Sequence, residues 1–191
     1  VNLFSLSQQL RGLATRIEPA GVPAWARRDA PLPAFDWHAL ALSSGGRDDV
    51  FAGFSSALQA LRDALRDDAT AARWIEGPLR RLASAHAALL VDARELTPEM
   101  QVRGHPQIFE LSRRYAVLSA AAALLAERQL NREALAGSLA RPAVLAVALQ
   151  RLAAALGDAT LLPAECYAGA FETLLTRRER HGHCGLYALP D

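Results

Sequence analysis

Lysine is absent from this 191-residue chain, and its 21 basic residues are all arginine. Arginine and alanine codons are GC-rich and lysine codons are not, so the bias reads first as genome composition rather than selection for anion binding. Charge of one sign is not in excess either: the formal net charge is +1, which gives neither a nucleic-acid footprint nor a polybasic membrane patch. Cysteine is nearly missing, and Cys166 and Cys184 alone build no disulfide framework of the kind that staples small secreted domains, so a reducing, cytoplasmic setting is expected. No apolar run approaches the ~20 residues that cross a bilayer, and no charged segment followed by an apolar one opens the chain. Aromatic residues make up only 6%, although 51% of the chain is hydrophobic, so alanine and leucine carry the apolar mass. That mixture favours helices over strands.

The patterning agrees with the composition. From Pro106 to Leu130 the residues Ile108, Leu111, Tyr115, Leu118, Ala122 and Leu125 recur at intervals of three and four, which places them on one side of a long central helix. Glu110, Arg113, Arg114, Glu127 and Arg128 fall on the opposite side, with Glu110 four residues before Arg114 in the order that favours an exposed ion pair. Ala120 to Ala123 have so little volume that a neighbouring helix can approach closely. Residues 2 to 17 carry a similar seam in Leu3, Leu6, Leu10, Leu13 and Ile17, a face that requires a partner. Pro19, Gly21, Pro23, Pro31 and Pro33 then forbid a long helix and predict an extended strap, with Trp25, Phe35 and Trp37 as its anchors.

Beyond the turn at Ser43 to Gly46, Asp48 or Asp49 is expected to cap a helix running through Phe51, Phe54, Leu58, Leu61 and Leu65 to about Arg66. Asp67 or Asp68 caps a third helix, which Gly77 and Pro78 are expected to kink or restart before the seam continues through Leu79, Leu82, His86 and Leu89. Thr97 and Pro98 read as a cap and a first helical position, and Gly104, His105 and Pro106 as the hinge into the central helix. Asn131 caps a short turn ending near Gly137. Pro142 opens a helix with Leu145, Leu149, Leu152 and Leu156 on one face, closed by Gly157, and a last helix turns Tyr167, Phe171 and Leu174 inward. The prediction is an all-α bundle of six to seven helices with a proline-rich strap near the N-terminus, divided as residues 1–33 for the first helix and strap and 34–191 for the bundle.

Chemistry-bearing groups are sparse. His181, His183 and Cys184 in HGHC, with Cys166 one helix earlier, are metal-ligand types close together, but adjacent His183 and Cys184 fit no common zinc spacing, so no metal site is assigned. Cys166 opens an apolar helix with no histidine at a telling distance and reads as a small buried hydrophobe. His86 lies on an apolar seam and reads as a hydrogen-bonded core histidine. Glu76, Glu110, Glu127, Glu133 and Glu172 contain no pair spaced as a carboxylate dyad. The pairs Arg27/Arg28, Arg80/Arg81, Arg113/Arg114 and Arg177/Arg178 are spread over four elements and read as solvent-exposed pairing rather than a phosphate clamp. Neither GGRDD nor GHPQ has the spacing of a glycine-rich phosphate loop.

Several stretches nevertheless resemble the C-terminal helical region of the acyl-CoA dehydrogenase and acyl-CoA oxidase superfamily. VNLFSLSQQLRGLA is similar to the helix that follows the Glu-Gly-Thr type catalytic motif, PLPAFDW with GGRDDVFAGF resembles the link into the extra helical domain, FELSRRYAVLSAAAALL its long helix, and HCGLYAL a Cys-x-Leu-Tyr-x-Leu-like segment near the oxidase C-terminus. The resemblance implies a parent enzyme that binds FAD, removes the α-proton of an acyl thioester with a glutamate and passes a hydride from the β-carbon to the flavin. The β-rich flavin-holding domain is missing here, and the catalytic carboxylate would lie upstream of Val1. No catalytic residue is therefore assigned to this chain, and its cofactor-binding residues are unknown. What is implied is a scaffold, interface or acyl-cavity wall, with a flavin-binding segment or subunit as partner in a homo- or hetero-oligomer, and no membrane or nucleic acid. The alternatives are a non-enzymatic helical interaction domain and, more weakly, a metal-binding bundle using the HGHC tail.

Overall fold

The computed structural model describes residues 48–131 and 140–181, together with Leu10, Gly12, Leu13 and Leu135. These form seven helices and, among the described residues, no strand: α1 (Asp49–Ala52), α2 (Phe54–Ala64), α3 (Ala69–Ala93), α4 (Pro98–Val102), α5 (Pro106–Leu130), α6 (Pro142–Ala155) and α7 (Ala164–His181). The fold is all-α, as the composition and seams require. The strap, its anchors, the turn at residues 43–46 and most of the turn after Asn131 lie outside the described residues.

The helix starts follow from capping chemistry. Asp48 accepts from the Phe51 N–H at 2.9 Å and Asp68 from the Ala71 N–H at 2.9 Å, so each carboxylate satisfies a donor that the first turn leaves free. Thr97 accepts from the Met100 N–H, and Pro98, Pro106 and Pro142 occupy first positions where the missing N–H costs nothing. Gly104 (φ 61°) and Gly157 (φ 89°) take left-handed backbone at the approach to α5 and just past α6.

Two expectations about continuity fail in opposite senses. The helix expected from Asp49 to Arg66 breaks at Gly53, whose N–H bonds to Asp49 O and separates α1 from α2. At Gly77 and Pro78, where a kink or restart is expected, the helix does not restart: α3 runs through both as one 25-residue helix, with Pro78 buried. A residue before proline is pushed out of the helical region partly by its own Cβ, and Gly77 has none.

The central position of α5 is as the periodicity predicts. It packs against α1, α2, α3 and α6, while α6 also lies on α3 and carries α7. Ile108, Leu111, Tyr115, Leu118, Ala121, Ala122 and Leu125 are all buried in one continuous core with Phe51, Phe54, Leu58, Leu61, Ile75, Leu79, Leu82, Leu89, Leu145 and Leu149. Of the four alanines at 120–123 only Ala121 and Ala122 face inward. Leu10 is fully buried in this same core and Leu13 packs against it, so at these positions the first seam finds its partner within the chain rather than outside it.

The polar side of α5 departs from its expected pairing. Arg128 is buried rather than exposed, and Glu110 binds Arg113 through two hydrogen bonds of 3.0 and 2.9 Å instead of Arg114. Neighbouring residues on a helix point about 100° apart, and Arg114 turns toward α3 to meet Asp92 at 2.6 Å. Arg113 and Arg81 converge on the end of α6, donating to Ala155 O at 2.5 Å and Leu156 O at 3.1 Å. Two cations there satisfy orphan carbonyls and oppose the negative end of the helix dipole.

Candidate functional site

Ionisable groups meet in the interior where α1, α3 and α5 join. Tyr115 of α5 donates its hydroxyl to Asp48 Oδ2 at 2.6 Å, while the other oxygen of that carboxylate caps α1. The Tyr115 ring lies 5.0 Å from Phe51, and Phe51 in turn lies 4.9 Å from the imidazole of His86 on α3, whose other neighbour is Phe54, also at 4.9 Å. All these contacts are tilted, the arrangement that aligns the positive edge of one ring with the negative face of the next.

The electrostatics of this cluster are those of a joint. Burial, reinforced by the hydrogen bond to Asp48, pushes the Tyr115 phenol well above its usual range, so it stays a donor at every physiological pH. Burial lowers the pKa of His86 from 6.5, because a charge between two phenyl rings loses its hydration. His86 is a core histidine as its seam position predicts, but no described residue hydrogen-bonds its imidazole; the ring is held by Phe51 and Phe54 instead. Phe51 and Phe54 are buried beside Tyr115 and His86, whereas Asp48 is half-buried.

A shallow cavity of about 170 Å³ lies between α2 and the first half of α3, floored by Leu65, Ile75 and Leu79 and rimmed by Arg62, Arg66 and Glu76. Its arginines are already occupied. Arg62 binds Glu76 with two hydrogen bonds of 3.2 Å, and Arg66 binds Asp63 at 3.0 Å, which leaves no unpaired cation to recruit an anionic ligand.

Among the described residues no three His, Cys, Asp or Glu side chains converge on a common point. Cys166 is fully buried, donates to Ala143 O at 3.8 Å, and has its thiol pKa raised by burial and by Glu165, all of which oppose a nucleophilic role. His183, Cys184 and the His181 side chain lie outside the described residues, as do Glu133 and Arg27/Arg28. Glu76, Glu110 and Glu172 are exposed and Glu127 is half-buried.

The arginine pairs divide rather than cooperate. Arg113 goes to Glu110 and α6 while Arg114 goes to Asp92, and on α7 Arg178 is exposed while Arg177 is buried at 6% exposure with Nε and Nη2 making no hydrogen bond. Sequence reasoning missed the burial of Arg128 and Arg177. Arg177 shares with Cys166 and Ala170 the face of α7 that turns inward.

That register also corrects the prediction for the last helix. Tyr167 and Phe171 point outward, with Phe171 at 68% exposure, and Leu174 is only half-buried. The larger residues were expected inside, but the core beneath is closed by the small side chains of Cys166 and Ala170, and Gly169 lets Ala143 approach to 3.5 Å of where its Cβ would stand. Tyr167, Phe171 and Leu175, spaced by four, therefore form an exposed apolar stripe along α7 that no other described helix covers, with Leu161 exposed before it at 80%.

Compared with known proteins, the chain matches no family model, no curated sequence and no solved structure. No helix among the described residues is long and apolar enough to cross a membrane.

Proposed function

We propose that the chain is a helical packing module of an acyl-CoA dehydrogenase- or oxidase-like flavoenzyme, in which FAD and the reacting carboxylate belong to another segment or subunit. The module would contribute scaffold, subunit interface or a wall of the acyl cavity. The observation that carries this reading is the apolar face of α7, because a solvent-exposed row of Tyr167, Phe171 and Leu175 gains free energy only by being covered. The buried Tyr115 and His86 and the half-buried Asp48 support it as well, since they are engaged in holding helices together. The likeness of FELSRRYAVLSAAAALL and HCGLYAL to the helical region of that superfamily supplies the flavin.

The test is to co-express the chain with a flavin-binding acyl-CoA dehydrogenase-like segment and to follow flavin absorbance on adding acyl-CoA. Co-purification and bleaching that needs both chains support the proposal; absence of either sinks it. The exposed face of α7 equally favours a second reading, a non-enzymatic interaction domain, which predicts a stable complex with a partner that holds no flavin.

A further inference from the structure

We infer that the first third of α3, Ala69 to Glu76, is a lid that opens about Gly77 and Pro78 while the rest of the helix stays in the core. Pro78 has no N–H, so the hydrogen bond that would close on the Trp74 carbonyl cannot form, and the proline ring crowds that carbonyl. Gly77 adds backbone freedom at the same point, with no atom within 4 Å of where its Cβ would stand. A helix weakened at two successive residues yields there before it yields elsewhere.

The two sides of this point are held differently. Beyond it Pro78, Leu79, Leu82, Leu89 and Ala93 are buried, Arg81 donates to Leu156 O and Asp92 accepts from Arg114, so this part is fixed to α5 and α6. Before it only Ala71 and Ile75 are buried, and Trp74 packs half-buried against the core. The ion pairs Arg62–Glu76, at 3.2 Å, and Arg73–Glu165, at 3.0 Å, tie this part to α2 and α7, and all four side chains are at least 36% exposed. Pairs so open to water hold weakly. Trp74 opposes closure, because its indole Nε1 is buried without a hydrogen-bond partner. Opening lets water satisfy both that donor and the Trp74 carbonyl.

The lid is also one wall of the cavity between α2 and α3. Ala72, Ile75 and Glu76 line one side and Arg62, Leu65 and Arg66 the other. Opening therefore widens that cavity over its apolar floor, and Arg62–Glu76, which spans the rim, is the latch. Nothing in this motion depends on flavin or on a partner chain.

Amide hydrogen exchange of the full chain, followed residue by residue by NMR, tests this. The amides of Arg73 to Gly77 bond to acceptors within the lid, whereas those of Leu82 to Leu89 bond to acceptors at or beyond Pro78. The first group is expected to exchange through one common opening, about tenfold or more faster than the second, with a step across the hinge. Arg62→Ala removes the latch without altering α3 and is expected to speed the first group about threefold while leaving the second unchanged, the share that one exposed ion pair supplies. Pro78→Ala restores the missing N–H and is expected to slow the first group about fivefold relative to the second. Circular dichroism checks that both variants fold; if Pro78→Ala does not, the wild-type profile and Arg62→Ala decide. Equal protection along α3 overturns the inference. So does a smooth gradient of rates from Arg73 to Leu89, which is fraying from the helix end, or an Arg62→Ala profile identical to wild type.

Discussion

Removing the Tyr115 hydroxyl isolates the contact that ties α1 to α5. Tyr115→Phe keeps the ring against Phe51 and deletes only the 2.6 Å hydrogen bond to Asp48, a charge-assisted bond at a residue with 5% exposure. Such bonds contribute about 2 kcal/mol net. Asp48→Ala deletes the same bond and also the cap on the Phe51 N–H, which adds about 1 kcal/mol, for about 3 kcal/mol together. Because the single variants share one interaction, the double variant is expected to lose about 3 kcal/mol rather than 5, a coupling of about 2 kcal/mol. The stranded hydroxyl in Asp48→Ala makes that coupling larger, since an unpaired buried donor costs free energy of its own. Equilibrium urea unfolding of the four proteins measures it: with a slope of about 2 kcal/mol/M, the Tyr115→Phe midpoint falls by about 1 M. Losses that add to within about 0.5 kcal/mol would mean that Tyr115 and Asp48 do not cooperate, and the account of the α1/α5 joint would be wrong.

Three further outcomes follow from named positions. The pKa of His86 is lowered from 6.5 by burial, so the folded chain binds fewer protons there than the unfolded chain; the stability it contributes is full above pH 6.5 and is lost as pH falls from 6.5 toward the folded value. The urea midpoints of wild type and His86→Leu should therefore diverge on acidification below 6.5, and parallel pH profiles would refute the assignment. Gly157→Ala forces a Cβ onto backbone at φ 89° although no atom crowds it, so thermal unfolding should show a loss of about 1–2 kcal/mol from backbone alone. In a Cys184→Ser background the thiol of Cys166 should react with a thiol reagent only as fast as the chain unfolds, because it is fully buried; rapid reaction under native conditions would place Cys166 at the surface.

The long helices were legible because their signals are local and redundant. The α5 seam repeats six times in 25 residues, and Asp48, Asp68, Thr97 and Gly157 mark ends through side-chain or backbone chemistry that needs no distant partner. The face of α7 was less legible. Its apolar residues are distributed around the helix, so hydrophobicity alone does not decide between the side bearing Tyr167 and Phe171 and the side bearing Cys166 and Ala170. Likewise, proline at 78 is a breaker by propensity, and its tolerance depends on Gly77 and on the core that α3 fills.

By its own periodicity, composition and caps, the sequence determined that this protein is helical, which helix is central, and where most helices start. Tertiary structure alone decided which edge of α7 meets α6, that Arg114 reaches Asp92 rather than Glu110, that Arg128 and Arg177 are buried, and that His86 sits between two phenyl rings. The reason is one of range. Helix formation is governed by residues three and four apart, whereas pairing and burial depend on which surfaces the packed helices bring within a few ångströms, and the space left by α6 admits Cys166 and Ala170 but leaves Phe171 outside.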